Sequence, residues 1–138
     1  MKTIFVSACI GLLIFHAKGQ EKTIPAAVKQ SFTKIFPGIN PKWEKEKNDF
    51  EANFKKEGKK MSAVFGEDGT LKETEVSVAV SALPPIVRDY VVRHYNGASI
   101  KEAAKITKAD GRINYEAEVN HKDIIFDAEG KFLKEEKD

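Results

Sequence analysis

The sequence predicts an α+β fold made of two tandem units, each a helix followed by about four antiparallel strands, with both helices on one face of the sheet. Three observations predict it. The segment from Ile24-Pro25-Ala26-Ala27-Val28 to Phe36-Pro37-Gly38 returns fifty-nine positions later as Leu83-Pro84-Pro85-Ile86-Val87 to Tyr95-Asn96-Gly97. The offset drifts to sixty-five where Phe50-Glu51-Ala52 meets Tyr115-Glu116-Ala117, and to sixty-one where Val64-Phe65 and Gly69 meet Ile125-Phe126 and Gly130. Such drift is what loop insertions and deletions between elements of fixed length produce. In both halves the apolar period changes from helical to alternating at the same relative place.

The chain opens with a leader rather than with fold. Lys2 gives a positive start, Thr3 to Ala17 an apolar run, and Ala17-Lys18-Gly19 a small-x-small cleavage pattern, so residues 1–19 read as a secretory signal peptide and residues 20–138 as the mature domain. The run is shorter than the roughly 20 apolar residues of a membrane anchor and ends in His16 and Lys18. Val6-Ser7-Ala8-Cys9 has the look of a lipoprotein acylation box, but it precedes most of the apolar run, so Cys9 reads as part of that run.

Within the domain, the first unit spans residues 23–80 and the second 81–136. Ile24, Val28, Phe32, Ile35 and Phe36 form one apolar stripe on a helix, with Thr23 as N-cap, Pro25 in the first turn and Gly38 as the stop. Trp43 to Lys47 reads as the first strand. Phe50-Ala52-Phe54 then alternates with Glu51 and Asn53, followed by strands at Met61 to Phe65 and Leu71 to Val80. The second unit repeats this grammar. Leu83, Val87, Val91 and Tyr95 carry the stripe, and strands follow at Ile100 to Thr107, Tyr115 to Val119, Asp123 to Asp127 and Phe132 to Glu135. Glu57-Gly58, Asp68-Gly69, Asp110-Gly111 and Glu129-Gly130 are hairpin turns in which glycine is free to take positive φ.

Composition removes several function classes. Cleavage after Gly19 discards Cys9, the only cysteine, leaving no disulfide, thiol nucleophile or thiolate metal site. It also discards Lys2 and Lys18, so the 23 basic residues fall to 21 and equal the 21 acidic ones. With net charge at zero, a nucleic-acid partner held by phosphate neutralisation is not expected. No nucleophile elbow, phosphate-cradling glycine loop or serine–histidine spacing occurs, so neither an enzyme nor a cofactor is expected.

Helices on one face of an antiparallel sheet leave the other face to water, and that face should be polar. Val64 and Ile125 break the rule at matching positions, one step out of phase with Phe65 and Phe126, and Leu133 and Val76 or Val78 extend the strip. An apolar strip on a solvated face marks a contact site for another protein, unless it packs under a neighbouring loop. Trp43, flanked by Lys42, Lys45 and Lys47, is either an aromatic anchor at the rim of that face or a cover for the end of the core. Charging Val64 and Ile125 together is expected to spare folding and abolish association.

The repeated helix opening of Ile or Leu with Pro, the stops Phe36-Pro37-Gly38 and Tyr95-Asn96-Gly97, and the strand ends Phe65-Gly66-Glu67-Asp68-Gly69 and Phe126-Asp127-Ala128-Glu129-Gly130 resemble the PepSY-like family. These are small exported bacterial proteins, common in Bacteroidetes, whose fold is similar to the beta-lactamase inhibitory protein. The resemblance covers residues 23–136 and implies a curved sheet whose concave face, in that inhibitor, grips an enzyme. The inhibitor is built with disulfides and this mature chain has none, so no inhibitory contact residue carries over.

The remaining polar candidates are few. Asn114, Glu116 and Glu118 lie together on one strand and are the candidate ligands if the domain instead senses a peptide, a small molecule or calcium in the periplasm. As a catalytic pair the two glutamates lack a shielded pocket, since they lie among lysines on a sheet face expected to be open. Glu67-Asp68-Gly69 is too short for a calcium loop and reads as a turn. His94 falls on the helical stripe and is expected to be partly buried, His121 at a hairpin tip, and neither has a second histidine at metal-binding spacing. The sequence thus leads to a periplasmic or secreted, non-enzymatic binding module whose partner is another envelope or secreted protein, with inhibition as one form of that role.

Overall fold

The structure, a computed structural model, describes residues 24–137; the leader, the cleavage point after Gly19, Cys9 and Thr23 lie outside the described residues. Helix α1 spans Ala26–Ile35 and is followed by β1 (Lys42–Glu46), β2 (Asp49–Lys56), β3 (Lys59–Gly66) and β4 (Leu71–Val78). A 3-10 turn at Val80–Ala82 leads into α2 (Pro85–His94), then β5 (Glu102–Lys108), β6 (Ile113–Val119), β7 (Lys122–Asp127) and β8 (Phe132–Lys137). All eight strands form one antiparallel sheet in chain order. β4 joins β5 directly, Thr74 opposite Thr107 and Val76 opposite Lys105, so the two halves share a continuous sheet. Among the described residues no helix is long and apolar enough to cross a membrane.

Each helix begins at a proline. Pro25 and Pro84 occupy the N-cap positions without a side-chain cap, and Pro85 takes the first helical position, where its missing N–H costs nothing. The buried stripe of α1 is Val28 and Phe32, continued by Ile24 and Phe36 on either side. Ile35 is exposed, contrary to expectation, because it falls about 100° round the helix from Phe36. For the same reason its counterpart His94 is exposed, stacking on Tyr90 at 3.9 Å and donating from Nδ1 to the Tyr90 carbonyl.

Two apolar clusters lie between the helices and the sheet. Under α1, Phe32 meets Phe36, Trp43, Phe54 and Phe65 with ring centroids 5.2–6.2 Å apart. Under α2, Leu83, Val87 and Val91 pack on Ala103, Ala117, Val119, Ile124 and Phe126. Trp43 therefore covers the end of the core on the helix side and is not at the rim of the bare face. Val78 likewise packs against the α2 cluster, and Val76 pairs with the core-packed Met61, so neither belongs to the apolar strip expected on the other face.

Two hairpin tips lock against the helices. A Cβ on Gly69 would lie 2.6 Å from the Ala27 carbonyl oxygen in the first turn of α1, and one on Gly130 would lie 2.2 Å from Ile86 Cγ2 in the first turn of α2. Both glycines also have positive φ, 85° and 84°. Just before each of these tips the strand pairing slips, between Val64 and Phe65 in β3 and between Ile125 and Phe126 in β7. A bulge bends its strand and increases local twist, so the two slips curl the sheet at matching places.

Candidate functional site on the helix-free face

Register decides what the bare face carries. Four residues run across it as Glu51, Val64, Glu73 and Lys108, one from each of β2 to β5. A second row reads Asn53, Ser62, Glu75, Ile106 and Asn114, and a third Ser77, Ala104, Glu116, Ile125 and Lys134. A fourth holds Glu102, Glu118, Asp123 and Glu136. Carboxylates thus interleave with a short apolar floor.

This face is not solvated in the way a flat sheet would be. Ile106 and Ile125 are 0% exposed and touch each other, although no helix covers them. Around them Glu51 is 2%, Glu75 3% and Glu116 5% exposed. Glu75 on β4 feels the charge of Asp123 on β7, three strand spacings away, which is about 14 Å on a flat sheet. Curling of the sheet brings such groups together and forms a trough.

Burial of this kind disfavours the charged form of a carboxyl. Glu51 is raised to about 8 by burial first and then by Glu46. Glu75 is raised to about 8 by burial and by Glu51, and Glu116 to about 11 by burial and then by Glu75 and Asp123. One oxygen each of Glu51 and Glu116 is buried without a hydrogen-bond partner. Glu73 is satisfied differently, through a buried ion pair with Lys108. On the edge strand Lys134 pairs with Glu136 at 2.5 Å.

The candidates from sequence divide accordingly. Val64 and Ile125 are on the bare face, but as buried floor, not as an exposed strip. A carboxylate placed on either would sit among existing acids, so the double charge substitution would unfold the domain instead of sparing it. Leu133 is exposed because it is the residue skipped at the β7–β8 bulge, where Phe126 pairs with Phe132 and Ile125 with Lys134. Asn114, Glu116 and Glu118 share a face as expected, yet Glu116 is shielded and not among solvated lysines. Among the described residues, no three of histidine, cysteine, aspartate or glutamate come together in a set that could hold a metal ion. Asp68 instead accepts the Thr70 N–H of its own turn at 2.9 Å, and His121 sits with Asn120 in a positive-φ hairpin tip.

Sequence reasoning missed Glu51, Glu73 and Glu75. The signal was their shared parity with Val64 along alternating strands, but alternation does not say which strands lie side by side.

Two helices on one face of an eight-stranded antiparallel open sheet define an α+β class of small domain. The family model described as "Putative beta-lactamase-inhibitor-like, PepSY-like" matches residues 48–134, more than half of the chain, and the chain belongs to this family. It is similar in fold to a crystal structure from Bacteroides eggerthii described as a "putative periplasmic" protein, with 15% identity and a TM-score of 0.70 over 81% of this chain and 87% of that one. A DUF2874 family protein from Bacteroides ovatus matches at 20% identity and a TM-score of 0.67, covering 80% and 85%. A BLIP-like protein from Bacteroides fragilis matches at 20% and 0.59, covering 81% and 85%. No curated protein matches the chain.

Proposed function

We propose that the chain is a non-enzymatic binding module of the periplasm or secreted space that docks another envelope or secreted protein in the trough of its sheet, as an inhibitor does. The observation that carries this reading is the pairing of a fully buried apolar floor with orphaned carboxyl oxygens on a face that no helix covers. A protein that only needed a stable sheet would have no use for such groups, because buried polar atoms without partners cost stability. Membership of an inhibitor-like family supports the same reading, as does the periplasmic description of a similar fold. In this reading residues 1–19 are the export leader, and residues 23–80 and 81–136 are copies of one duplicated unit that together make the trough.

The test uses Ser77 and Asn114, which face the trough but are only half-buried. Ser77→Trp with Asn114→Trp fills it without disturbing the buried floor. Immobilised mature domain, wild type and variant, is exposed to envelope extract of the producing organism. A protein retained by the wild type and lost from the folded variant supports docking in the trough. Equal retention by both refutes it.

A further inference from the structure

The β2–β3 and β6–β7 hairpins occupy the same place in the two halves of the sheet, yet they close differently. In β6–β7, Val119 pairs with Lys122 around the two-residue turn Asn120-His121, and both strands stay paired to their outer neighbours at that level, Glu118 to Glu102 and Lys122 to Lys137. In β2–β3, six residues, Lys55 to Lys60, stand between the matching positions Phe54 and Met61. The extra length makes a two-stranded ribbon that leaves the sheet, since β1 pairs no further along it than Asn53 and β4 no further than Met61.

Four of the six ribbon residues are lysines, one is Glu57 and one is Gly58, and all six are exposed. Lys55 lies directly opposite Lys60, and Lys56 directly opposite Lys59. Like charges facing each other across strands oppose the pairing, so the ribbon's own stability does not call for them. Nor does the fold, because β6–β7 closes without such an extension. Among the described residues only Lys60 of the four is ion-paired, to Glu102 at a loose 3.9 Å with both side chains well exposed. Lysines also keep a free ribbon from pairing with other chains, but glutamates would guard it equally well, and a flush turn would need no guard.

The geometry points to an anionic bilayer as the surface this ribbon meets: we infer that the lysine-tipped ribbon docks the domain reversibly on phosphate headgroups. Alternation sets Lys55 and Lys60 on the helix-free side of the ribbon and Lys56 and Lys59 on the helix side. A rigid acidic patch on a protein meets one side of such a ribbon, whereas laterally mobile headgroups collect on both. A polyanionic chain laid along the domain would meet Glu44 on β1 and Glu102 on β5 beside the ribbon; a plane meets what stands clear of the sheet. Residues 55–60 include no apolar side chain, so the ribbon rests among headgroups without entering hydrocarbon. Attraction of this kind is short-ranged, screened by salt and too weak for permanent anchoring. The ribbon is separate from the buried acids of the helix-free face, so this inference stands or falls independently of docking there.

The experiment is co-sedimentation of the mature domain with vesicles of phosphatidylcholine alone or of phosphatidylcholine with phosphatidylglycerol, at about 0.05 M and about 0.5 M salt. The variant is Lys55→Gln, Lys56→Gln, Lys59→Gln. Removing like charges from opposite positions keeps the hairpin, so its thermal midpoint should hold or rise. A charge-matched control, Lys29→Gln, Arg88→Gln, Lys131→Gln, changes exposed residues elsewhere. Expected are pelleting with the anionic vesicles at low salt, its loss at high salt, at least tenfold weaker binding by the ribbon variant, and binding by the control close to wild type. Equal pelleting with neutral vesicles, no pelleting at low salt, or equal losses in variant and control would overturn the proposal. Retention on immobilised polyglutamate or heparin without vesicle binding would overturn it too, in favour of an acidic chain as the partner.

Discussion

Glu116 and Ile125 lie directly opposite each other across β6 and β7, and both are buried on the side of the sheet that carries no helix. A carboxyl and an aliphatic side chain shielded together on a face without a helix give the domain a measurable pH response.

The sign of that response follows from the raised acids. Glu51 and Glu75 hold protons in the folded state up to about pH 8, and Glu116 to about 11, against an ordinary 4.5. Between the unfolded and folded values the native state binds more protons, so stability is complete below about pH 4.5 and declines as pH rises through 8. Thermal or urea unfolding at pH 5, 7 and 9 should show a loss on the order of a few kcal/mol. Glu116→Gln should flatten the profile and raise stability at pH 9. A midpoint that climbs from pH 5 to 9 would contradict the burial of these acids.

The ion pair of Lys108 and Glu73 behaves differently because its charges compensate. Glu73→Gln strands Lys108 in a shielded position and should cost about 3 kcal/mol. Replacing both, Glu73→Leu with Lys108→Met, should recover most of that loss, as urea midpoints of the three proteins would show.

Gly130 and Gly111 test the packing of hairpin tips on helices. Both have positive φ, 84° and 87°, but only at Gly130 does a Cβ collide with the helix; at Gly111 nothing lies within 4 Å. Gly111→Ala should cost about 1 kcal/mol, the strain of φ alone, and Gly130→Ala clearly more. Equal losses would mean that the tip does not press on Ile86.

Trp43 separates core from trough. Its indole packs edge-on against Phe32 at 5.4 Å, on the helix side. Trp43→Ala should lower stability by about 2 kcal/mol and leave unchanged the retention of any protein that the wild type captures. Loss of retention in a variant that remains folded would put Trp43 in the interface after all.

The sequence by itself determined the elements. Val28 and Phe32, like Val87 and Val91, recur at helical spacing, Phe50-Ala52-Phe54 and Tyr115-Ala117-Val119 alternate, and proline and glycine mark where helices begin and strands turn, all of which are consequences of local backbone geometry. It also placed Val64 and Ile125 on the bare face, since parity along a strand fixes a side. What only the tertiary structure decided was their environment. Exposure of Val64, and the grouping of Glu51, Glu75 and Glu116, depend on which strands are neighbours and how strongly the sheet curls, and both are set by pairing register between segments distant in sequence and by two bulges. A periodic pattern says which way a side chain points; whether it meets water there is settled by the curvature of the whole sheet.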